Sequence, residues 1–164
     1  MTEALFTACT ADLCDRFGAD ARTGGADLRS YGGRDTARGL IATLQCREDA
    51  ALLRMQLAEP GQGRILVVDG GGSLQAALLG ERMAALALDR GWAGLVIHGA
   101  VRDVARLRSL DIAVLALGQV PRRGGRTGAG CTGTDLFFGG LWFRPGQYLC
   151  LDADGMVVLD HAPA

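Results

Sequence analysis

Three charged residues, Glu81, Arg102 and Asp103, carry side chains that could act together on a small anionic molecule. A helical pattern opens at residues 80–83, so we expect Glu81 at the start of a helix. An apolar run at residues 94–97 indicates a strand, and Arg102 and Asp103 follow shortly after its end. Open α/β sheets bind ligands in the loops that leave the carboxyl ends of their strands. A carboxylate, a helix N-terminus and an Arg-Asp pair at such a place could hold a metal ion and an anionic substrate.

Each of these residues also has a purely structural interpretation. Glu81 could be a first-turn acid that complements the helix dipole. Arg102 and Asp103 could form a surface ion pair, or Asp103 could cap the helix that follows it. The preceding segment DGGGS, at residues 69–73, has two compatible interpretations: a tight turn, or backbone that leaves room for a ligand. Spacing alone leaves these alternatives open.

The overall composition is that of a globular protein with no marked affinity for nucleic acid. Its 164 residues suffice for one substantial core, and we treat residues 1–164 as a single domain. Hydrophobic residues make up 49% of the chain and charged residues 21%, which argues against disorder. The formal net charge of -1 gives no electrostatic footprint for direct nucleic-acid binding.

No apolar run approaches the roughly 18 residues of a membrane helix, and the N-terminus lacks a basic signal-peptide start. We therefore expect a cytoplasmic protein without a membrane partner.

The chain contains no lysine, and all 17 of its Lys and Arg positions are arginine. This excludes Schiff-base chemistry through a lysine amine and a Walker-type phosphate loop. If the protein breaks carbon–carbon bonds next to a carbonyl, a metal ion or a hydrogen-bonded cation must stabilise the enolate.

The 5 cysteines are scattered and odd in number, so we expect buried or incidental thiols rather than a zinc site or a disulfide framework.

Hydrophobic periodicity predicts an α/β core that carries a β-rich C-terminal part. Helical patterns cover residues 2–17, 48–58, 81–90 and 103–109, and strand patterns cover residues 38–46, 64–68, 94–97, 112–117, 136–138, 141–143, 147–151 and 156–159. The uninterrupted apolar run at residues 64–68 predicts a strand that is buried on both faces. Residues 18–33 and 121–130 are rich in glycine and are predicted to be loops, the second of them flexible.

Three other signals favour structural interpretations. Residues 128–133 match the spacing GxGxxG, but a dinucleotide site needs a strand before this motif and a helix after it, and here a strand-like run follows. Arg122, Arg123 and Arg126 could contact phosphate or RNA, although short arginine clusters in glycine-rich loops are usually solvated. His98 could support a metal ligand, but a hydrogen-bonded core histidine is the more common role.

Two motifs, DGGGS at residues 69–73 and GAVRD at residues 99–103, stand in a specific mutual spacing. Shorter pieces accompany them: ADLCD at 11–15, YGGR at 31–34, LVV at 66–68, GWAGLVI at 91–97 and FGG at 138–140. Through these pieces, which span nearly the whole chain, the sequence resembles the regulator of ribonuclease activity A (RraA-like) family. That family includes metal-dependent 4-hydroxy-4-methyl-2-oxoglutarate aldolases. The resemblance implies an α/β single domain of swivelling β/α/β type and a ring-shaped homotrimer with each site near a subunit boundary.

The resemblance also implies roles for the charged residues. An acid, twenty further residues and then Arg-Asp mark the active aldolases, and Glu81, Arg102 and Asp103 meet this spacing. It implies that Asp103 binds a divalent cation, Mg²⁺ or Mn²⁺, directly and that Glu81 contacts the cation through water. Arg102 is expected to meet the carbonyl oxygen of the substrate. An acid is often found three residues beyond the Arg-Asp pair, where this chain has Arg106, so the chain departs from the family in the outer support of the metal.

The substrate implied by the resemblance is a small 2-oxo acid, whose pyruvyl carboxylate would be held by the backbone amides of Gly80, Glu81, Arg82 and Met83. The expected reaction cleaves 4-hydroxy-4-methyl-2-oxoglutarate, or a related 4-hydroxy-2-oxo acid, to pyruvate. An oxaloacetate decarboxylase side activity is expected because it passes through the same enolate. The alternative is a non-catalytic regulator that binds and inhibits a ribonuclease E-type enzyme. Family members of that kind can lack the Arg-Asp pair, so its presence here favours catalysis.

Overall fold

Four parallel strands form the centre of the fold in the computed structural model, which describes residues 9–164. In chain order within these residues, the strands are β1 (Arg22–Gly24), β2 (Arg29–Ser30), β3 (Ala37–Gln45), β4 (Ile65–Asp69), β5 (Ala77–Leu79), β6 (Gly94–Val101), β7 (Ala113–Gln119), β8 (Cys131–Thr132), β9 (Leu136–Phe138), β10 (Leu141–Phe143), β11 (Tyr148–Asp152) and β12 (Gly155–Leu159). The helices are α1 (Thr10–Phe17), α2 (Ala51–Ala58), α3 (Glu81–Asp89) and α4 (Val104–Leu107), with a 3-10 turn at Gly18–Asp20. β3, β4, β6 and β7 are parallel neighbours in that order, and β11, β12 and β1 extend the sheet from β3 with antiparallel pairing.

The central strand β4 is buried on both faces, as its uninterrupted apolar run predicts. Leu66 and Val68 belong to the same buried cluster as the apolar faces of α2, α3 and α4. Ile65 and Val67 instead pack with residues of the C-terminal strands. The alternation follows from the two-residue period of a strand, which sends successive side chains to opposite faces. The sheet therefore separates a helical layer from a β layer, and each layer covers one of its apolar faces.

The β layer is formed by the C-terminal part of the chain. Strands β9 and β10 pair with each other, β11 pairs with β12, and these antiparallel hairpins belong to separate sheets. Phe138 and Phe143 of the first hairpin are buried, and their rings stack with centroids 4.6 Å apart. Phe137 and Trp142 lie on the other face of this hairpin and are 55% and 48% exposed. The predicted α/β class with a β-rich C-terminal part is confirmed.

Several element boundaries differ from the sequence prediction. The predicted loop at residues 18–33 is wrong, because it contains a 3-10 turn and the short strands β1 and β2. The periodicity also misses β5 and β8, which are only three and two residues long. Helix α2 begins at Ala51 rather than at residue 48, since Glu48 has a φ of 53°, which a right-handed helix excludes. The helix predicted at residues 2–17 lies partly outside the described residues, and its described part is helical from Thr10.

Hydrogen bonds on two sides hold the glycine-rich loop at residues 121–130, so the prediction of a flexible loop is wrong. The Ala77 N–H donates to the Arg122 carbonyl at 2.7 Å, and the Gly124 N–H donates back to the Ala77 carbonyl at 3.0 Å. On the other side, the Asp49 carboxylate accepts hydrogen bonds from the backbone of Thr127 and of residue 128. The pattern of glycines indicated a loop correctly but not its attachment to β5 and to the residues before α2.

All five cysteines are free, and two of them, Cys46 and Cys150, are buried. Burial raises the pKa of Cys46 to about 12 and that of Cys150 to about 11. These two thiols are therefore unreactive at neutral pH, as the prediction of buried or incidental thiols requires.

Within residues 9–164, no helix is both long enough and apolar enough to cross a membrane.

Candidate functional site

Two parallel chain segments bring the predicted site residues together at the carboxyl edge of the sheet. Strand β5 pairs in parallel with the end of β6, so that Leu79 lies opposite Val101. The Arg102 N–H then donates to the Leu79 carbonyl at 2.9 Å, which continues the pairing by one residue. The first segment runs on into Gly80 and α3, and the second runs on into Arg102 and Asp103. Residues about twenty positions apart in the sequence therefore meet at one place.

Asp103 has a left-handed backbone conformation, with φ 57° and ψ 41°. Aspartate tolerates this conformation better than most residues. Its carbonyl oxygen accepts hydrogen bonds from the N–H groups of Arg106 and Leu107 and so begins α4, but its side chain makes no capping hydrogen bond to that helix. Instead, Asp103 Oδ2 accepts a hydrogen bond from the Glu81 backbone N–H at 3.0 Å. The carboxylate therefore stabilises the N-terminus of α3, and the interpretation that its side chain caps α4 is wrong.

Gly80 allows the two segments to approach this closely. A Cβ atom at Gly80 would lie 2.6 Å from Asp103 Oδ2 and 3.3 Å from both Cγ and Nε of Arg102. The φ of Gly80 is -131°, which any residue can adopt, so the position requires space rather than backbone freedom. Arg102 and Asp103 are thus packed against bare backbone at the start of α3.

A cavity of about 270 Å³, which we call the aspartate cavity, opens at this point. It is lined by Gly80, Arg82, Met83, Arg102, Asp103 and Arg106. The backbone N–H groups of Arg82 and Met83 lie in the first turn of α3, where the helix itself supplies no acceptor. These donors, together with the helix dipole, suit a bound carboxylate. The Glu81 side chain is not part of the cavity wall, and its contact with a cation through water stays a prediction.

The donors at the aspartate cavity suit a hard, largely hydrated cation. Asp103 is exposed, and its Oδ1 accepts no hydrogen bond from residues 9–164, so one carboxylate oxygen is available. In the same part of the chain, no group of three or more His, Cys, Asp or Glu side chains could enclose a metal ion. Mg²⁺ keeps several waters and is bound through one or two carboxylates together with substrate oxygens, so a complete protein cage is not needed. The residues present fit such an ion and do not suit zinc.

A second cavity, of about 450 Å³, adjoins the first, and we call it the arginine cavity. Its charged lining consists of Arg54, Arg82, Arg102, Arg123 and Arg126, and its other lining residues are apolar side chains and glycines from α2, β5, α3 and the 123–126 loop. The two cavities share Gly80, Arg82, Met83 and Arg102. Among the described residues, the lining of the arginine cavity includes no carboxylate. The pair of cavities therefore combines one exposed carboxylate with a concentrated positive charge.

Sequence reasoning missed most of this positive charge. Arg123 and Arg126 are exposed, as the interpretation of solvated loop residues predicts, and so is Arg54, to which no role was given. All three nevertheless line one cavity with Arg102, which the sequence did not indicate. One signal could have indicated this: residues 121–130 contain three arginines and no acid to neutralise them. Arg54 carries no comparable local signal, because its place is set by how α2 packs on the sheet.

The DGGGS turn and His98 lie on the same edge of the sheet but outside both cavities. Gly71 and Gly72 adopt φ values of 67° and 74°, which supports the tight-turn interpretation. The His98 ring stacks on Phe138 with centroids 4.6 Å apart. Its Nδ1 is 3.7 Å from Asp69 Oδ1, too far for a hydrogen bond, and has no partner in the described part of the chain. The prediction of a hydrogen-bonded histidine is therefore wrong at this nitrogen.

Comparison with known proteins identifies the class to which this fold and site belong. A profile of the RraA-like family, described as Aldolase/RraA, matches residues 10–158. The chain belongs to the RraA-like family.

Three solved structures illustrate the relationship. The RNA-processing inhibitor RraA from Thermus thermophilis is 41% identical, with a TM-score of 0.93, over 96% of this chain and 95% of its own. An S-adenosylmethionine: 2-dimethylmenaquinone methyltransferase from Geobacillus kaustophilus HTA426 is 42% identical, with a TM-score of 0.91, over 94% of this chain and 96% of its own. Streptomyces coelicolor RraAS2, an unusual member of the RNase ES inhibitor RraA protein family, is 27% identical, with a TM-score of 0.77, over 93% of this chain and 80% of its own. The family includes both aldolases and ribonuclease inhibitors, so membership alone does not decide between these functions.

Substitution of Gly80 by alanine tests the close approach at the centre of the site. We expect the folded protein to persist, because the backbone angles suit alanine, but Asp103 and Arg102 must move away from the new methyl group. A displacement of this size should lower kcat/KM by roughly 100-fold for a reaction that depends on these two side chains. Gly118→Ala is the matched control, since its Cβ would meet only the Leu74 side chain, at 3.3 Å. Equal activity of both variants and the parent would contradict the role given to Gly80.

Proposed function

We propose that this protein is a divalent-metal-dependent carbon–carbon lyase of the cytoplasm. Its substrate is 4-hydroxy-4-methyl-2-oxoglutarate or a related 4-hydroxy-2-oxo acid, its product is pyruvate, and it also decarboxylates oxaloacetate. The observation that supports this most directly is the position of the Asp103 carboxylate. It is held by the Glu81 N–H at 3.0 Å and faces a cavity that Arg102 also lines.

The reaction requires stabilisation of an enolate. When the C3–C4 bond breaks, the 4-hydroxyl group loses its proton and C4 becomes a carbonyl. The electron pair passes to C3 and the C2 oxygen, and protonation at C3 then gives pyruvate. In oxaloacetate the fragment that leaves is CO₂, and the same enolate forms. Because the chain has no lysine, this charge cannot be delocalised through a Schiff base.

The residues at the aspartate cavity meet the separate requirements of this reaction. The backbone N–H groups of Arg82 and Met83 at the start of α3 would bind the C1 carboxylate. Arg102 would place a fixed positive charge beside the C2 oxygen, where negative charge develops. Asp103 would hold the divalent cation directly, and Glu81 through water. The cation, when bound, supplies Lewis acidity at the substrate oxygens.

A second function, inhibition of a ribonuclease by direct binding, is favoured by the names of two similar structures. One is an RNA-processing inhibitor that is 41% identical to this chain, and another belongs to an RNase ES inhibitor family. This function would require neither the Asp103 carboxylate nor a cation. The lyase function requires both, so substitution of Asp103 distinguishes the two proposals. We place the lyase first, because Glu81, Arg102 and Asp103 are all present and the last two lie at one cavity.

The methyltransferase name of a third similar structure finds little support in the site. The glycine motif at residues 128–133 contains the short strand β8 and is not placed between a strand and a helix. It therefore lacks the context in which such a motif binds a nucleotide-type cofactor.

The roles of Arg102 and Asp103 can be separated by substitution. Asp103→Asn removes the charge that binds the cation but keeps an oxygen for the Glu81 N–H, so metal affinity should fall and high Mg²⁺ should partly restore turnover. Arg102→Lys keeps a positive charge but loses the planar guanidinium, so kcat should fall about 100-fold without rescue by metal. Glu81→Gln should act more mildly, by roughly 10- to 100-fold, as expected for a residue that contacts the cation through water.

Pyruvate release from 4-hydroxy-4-methyl-2-oxoglutarate, measured over a range of Mg²⁺ concentrations, checks this order of effects. Arg108→Lys serves as the control, because Arg108 is exposed at the end of α4 and lines neither cavity. If Arg102→Lys and Asp103→Asn both turn over at the parent rate, the site lies elsewhere and ribonuclease regulation becomes the better proposal.

We further propose a homotrimeric assembly, which exposed aromatic side chains support. Phe137 and Trp142, on one face of the β9–β10 hairpin, are about half exposed and contact each other with ring centroids 5.1 Å apart. Apolar surface of this kind commonly marks a contact between proteins. Light scattering at micromolar concentration should give about three times the 17.1 kDa mass of the chain. A monomer under these conditions would rule out the trimer.

A further inference from the structure

We infer that the arginine cavity binds a second carboxylate of the substrate, so that the protein selects dianionic over monoanionic 2-oxo acids. Arg54, Arg123 and Arg126 are the residues assigned to this group. The inference rests on the proposed lyase function and adds the part of the site that recognises the end of the substrate far from the pyruvyl group.

The first argument is the balance of charge. The chain as a whole is nearly neutral, yet 6 of its 17 arginines line the two adjoining cavities. Four arginines outside these cavities have acidic partners, among them Arg22, whose partner Asp160 lies at 2.7 Å, and Arg144, whose partner Asp135 lies at 3.3 Å. Within residues 9–164, the guanidinium groups of Arg54, Arg123 and Arg126 make no ion pair or hydrogen bond. A concave surface with several uncompensated guanidinium groups attracts an anion and can bind a carboxylate through two parallel hydrogen bonds.

The second argument is that the loop carrying two of these arginines is preorganised. Asp49 Oδ2 accepts hydrogen bonds from both the N–H and the hydroxyl of Thr127 at 2.7 Å, and Asp49 Oδ1 accepts from the N–H of residue 128 at 3.1 Å. These bonds, led by that of the Thr127 hydroxyl, lower the pKa of Asp49 to about 2. Asp49 is thus ionised throughout the neutral range and anchors the loop one residue beyond Arg126. A loop already fixed in place loses less conformational entropy when an anion binds.

The opposite end of this loop is attached to the strand that leads to the reaction site. The N–H of Ala77 donates to the Arg122 carbonyl, and Gly124 donates to the Ala77 carbonyl, so Arg123 is held between two backbone hydrogen bonds. Ala77 begins β5, and β5 ends next to Gly80 at the aspartate cavity. The arginine cavity and the reaction site are therefore connected by one short strand. This arrangement suits a single molecule that spans both.

The shape of the site favours a small anion over a macromolecular partner. The arginine cavity has a volume of about 450 Å³, which is in the range of pockets for small organic ligands. Its arginines come from α2, α3, the end of β6 and the loop, and they line a common cavity rather than a linear surface track. Arg102 lines both cavities and Asp103 lines only the aspartate cavity, so a carboxylate bound at Arg123 or Arg126 would occupy the cavity that Asp103 does not line.

Two substrates of equal length test the inference. 4-Hydroxy-2-oxoglutarate and 4-hydroxy-2-oxopentanoate both release pyruvate on cleavage, but only the first has a carboxylate in place of the terminal methyl group. The parent protein with Mg²⁺ should prefer the dianion. Arg123→Gln and Arg126→Gln should each lower kcat/KM for the dianion by roughly 10- to 100-fold, mainly through KM, and leave the monoanion within about twofold. Arg54→Gln should act in the same direction.

Arg122→Gln is the matched control, because Arg122 lies in the same loop but does not line the cavity.

Binding of glutarate and of pentanoate to the metal-free protein, measured by calorimetry, gives a readout that does not depend on turnover. Glutarate should bind more tightly than pentanoate, and Arg126→Gln should remove this difference in affinity. Equal losses for both substrates, or equal losses in Arg122→Gln, would overturn the inference while leaving the lyase function intact. A parent protein that released pyruvate from neither substrate, nor from 4-hydroxy-4-methyl-2-oxoglutarate, would overturn the proposed function itself.

Discussion

The hydrogen bond from the Glu81 backbone N–H to Asp103 Oδ2, at 3.0 Å, is the interaction on which the arrangement of the site depends. It joins the start of α3 to the end of β6, and it forms only because Gly80 has no side chain between them. One carboxylate oxygen is used in this bond, which leaves the other free for a cation. The left-handed conformation of Asp103 turns its carboxylate away from α4 and toward α3, at a cost of order 1–2 kcal/mol in backbone strain.

A second anchored carboxylate, that of Asp49, organises the positive side of the site. Its hydrogen bonds to Thr127 and residue 128 fix the loop that carries Arg123 and Arg126. Because the pKa of Asp49 is lowered to about 2, the ionised form is more stable in the folded chain than in the unfolded one. This contribution to stability is complete above the ordinary pKa of aspartate, near 4, and is lost as the pH falls toward 2. The exposed Asp103 and the buried Asp49 thus each fix a chain segment that carries candidate site residues.

The sequence predicted the central sheet well, because strands such as β4 carry apolar residues on both faces and have few alternatives. It also placed Glu81 at a helix start and Arg102 and Asp103 after a strand. It did not predict β5, since three residues are too few to show a period, and β5 is the strand that brings Gly80 beside Asp103. The cluster of Arg54, Arg123 and Arg126 was missed for a related reason. Its members come from distant segments, and only tertiary packing brings them together.

The most direct test of the lyase proposal is pyruvate formation by the unmodified protein after removal of metal. Protein treated with EDTA and then exchanged into chelator-free buffer is mixed with 4-hydroxy-4-methyl-2-oxoglutarate, and pyruvate is followed before and after addition of Mg²⁺. We expect no turnover before the addition and full turnover after it, because the proposed mechanism needs the cation beside Asp103 and Arg102 to stabilise the enolate and no lysine can replace it. Full turnover in excess EDTA would contradict the proposed mechanism.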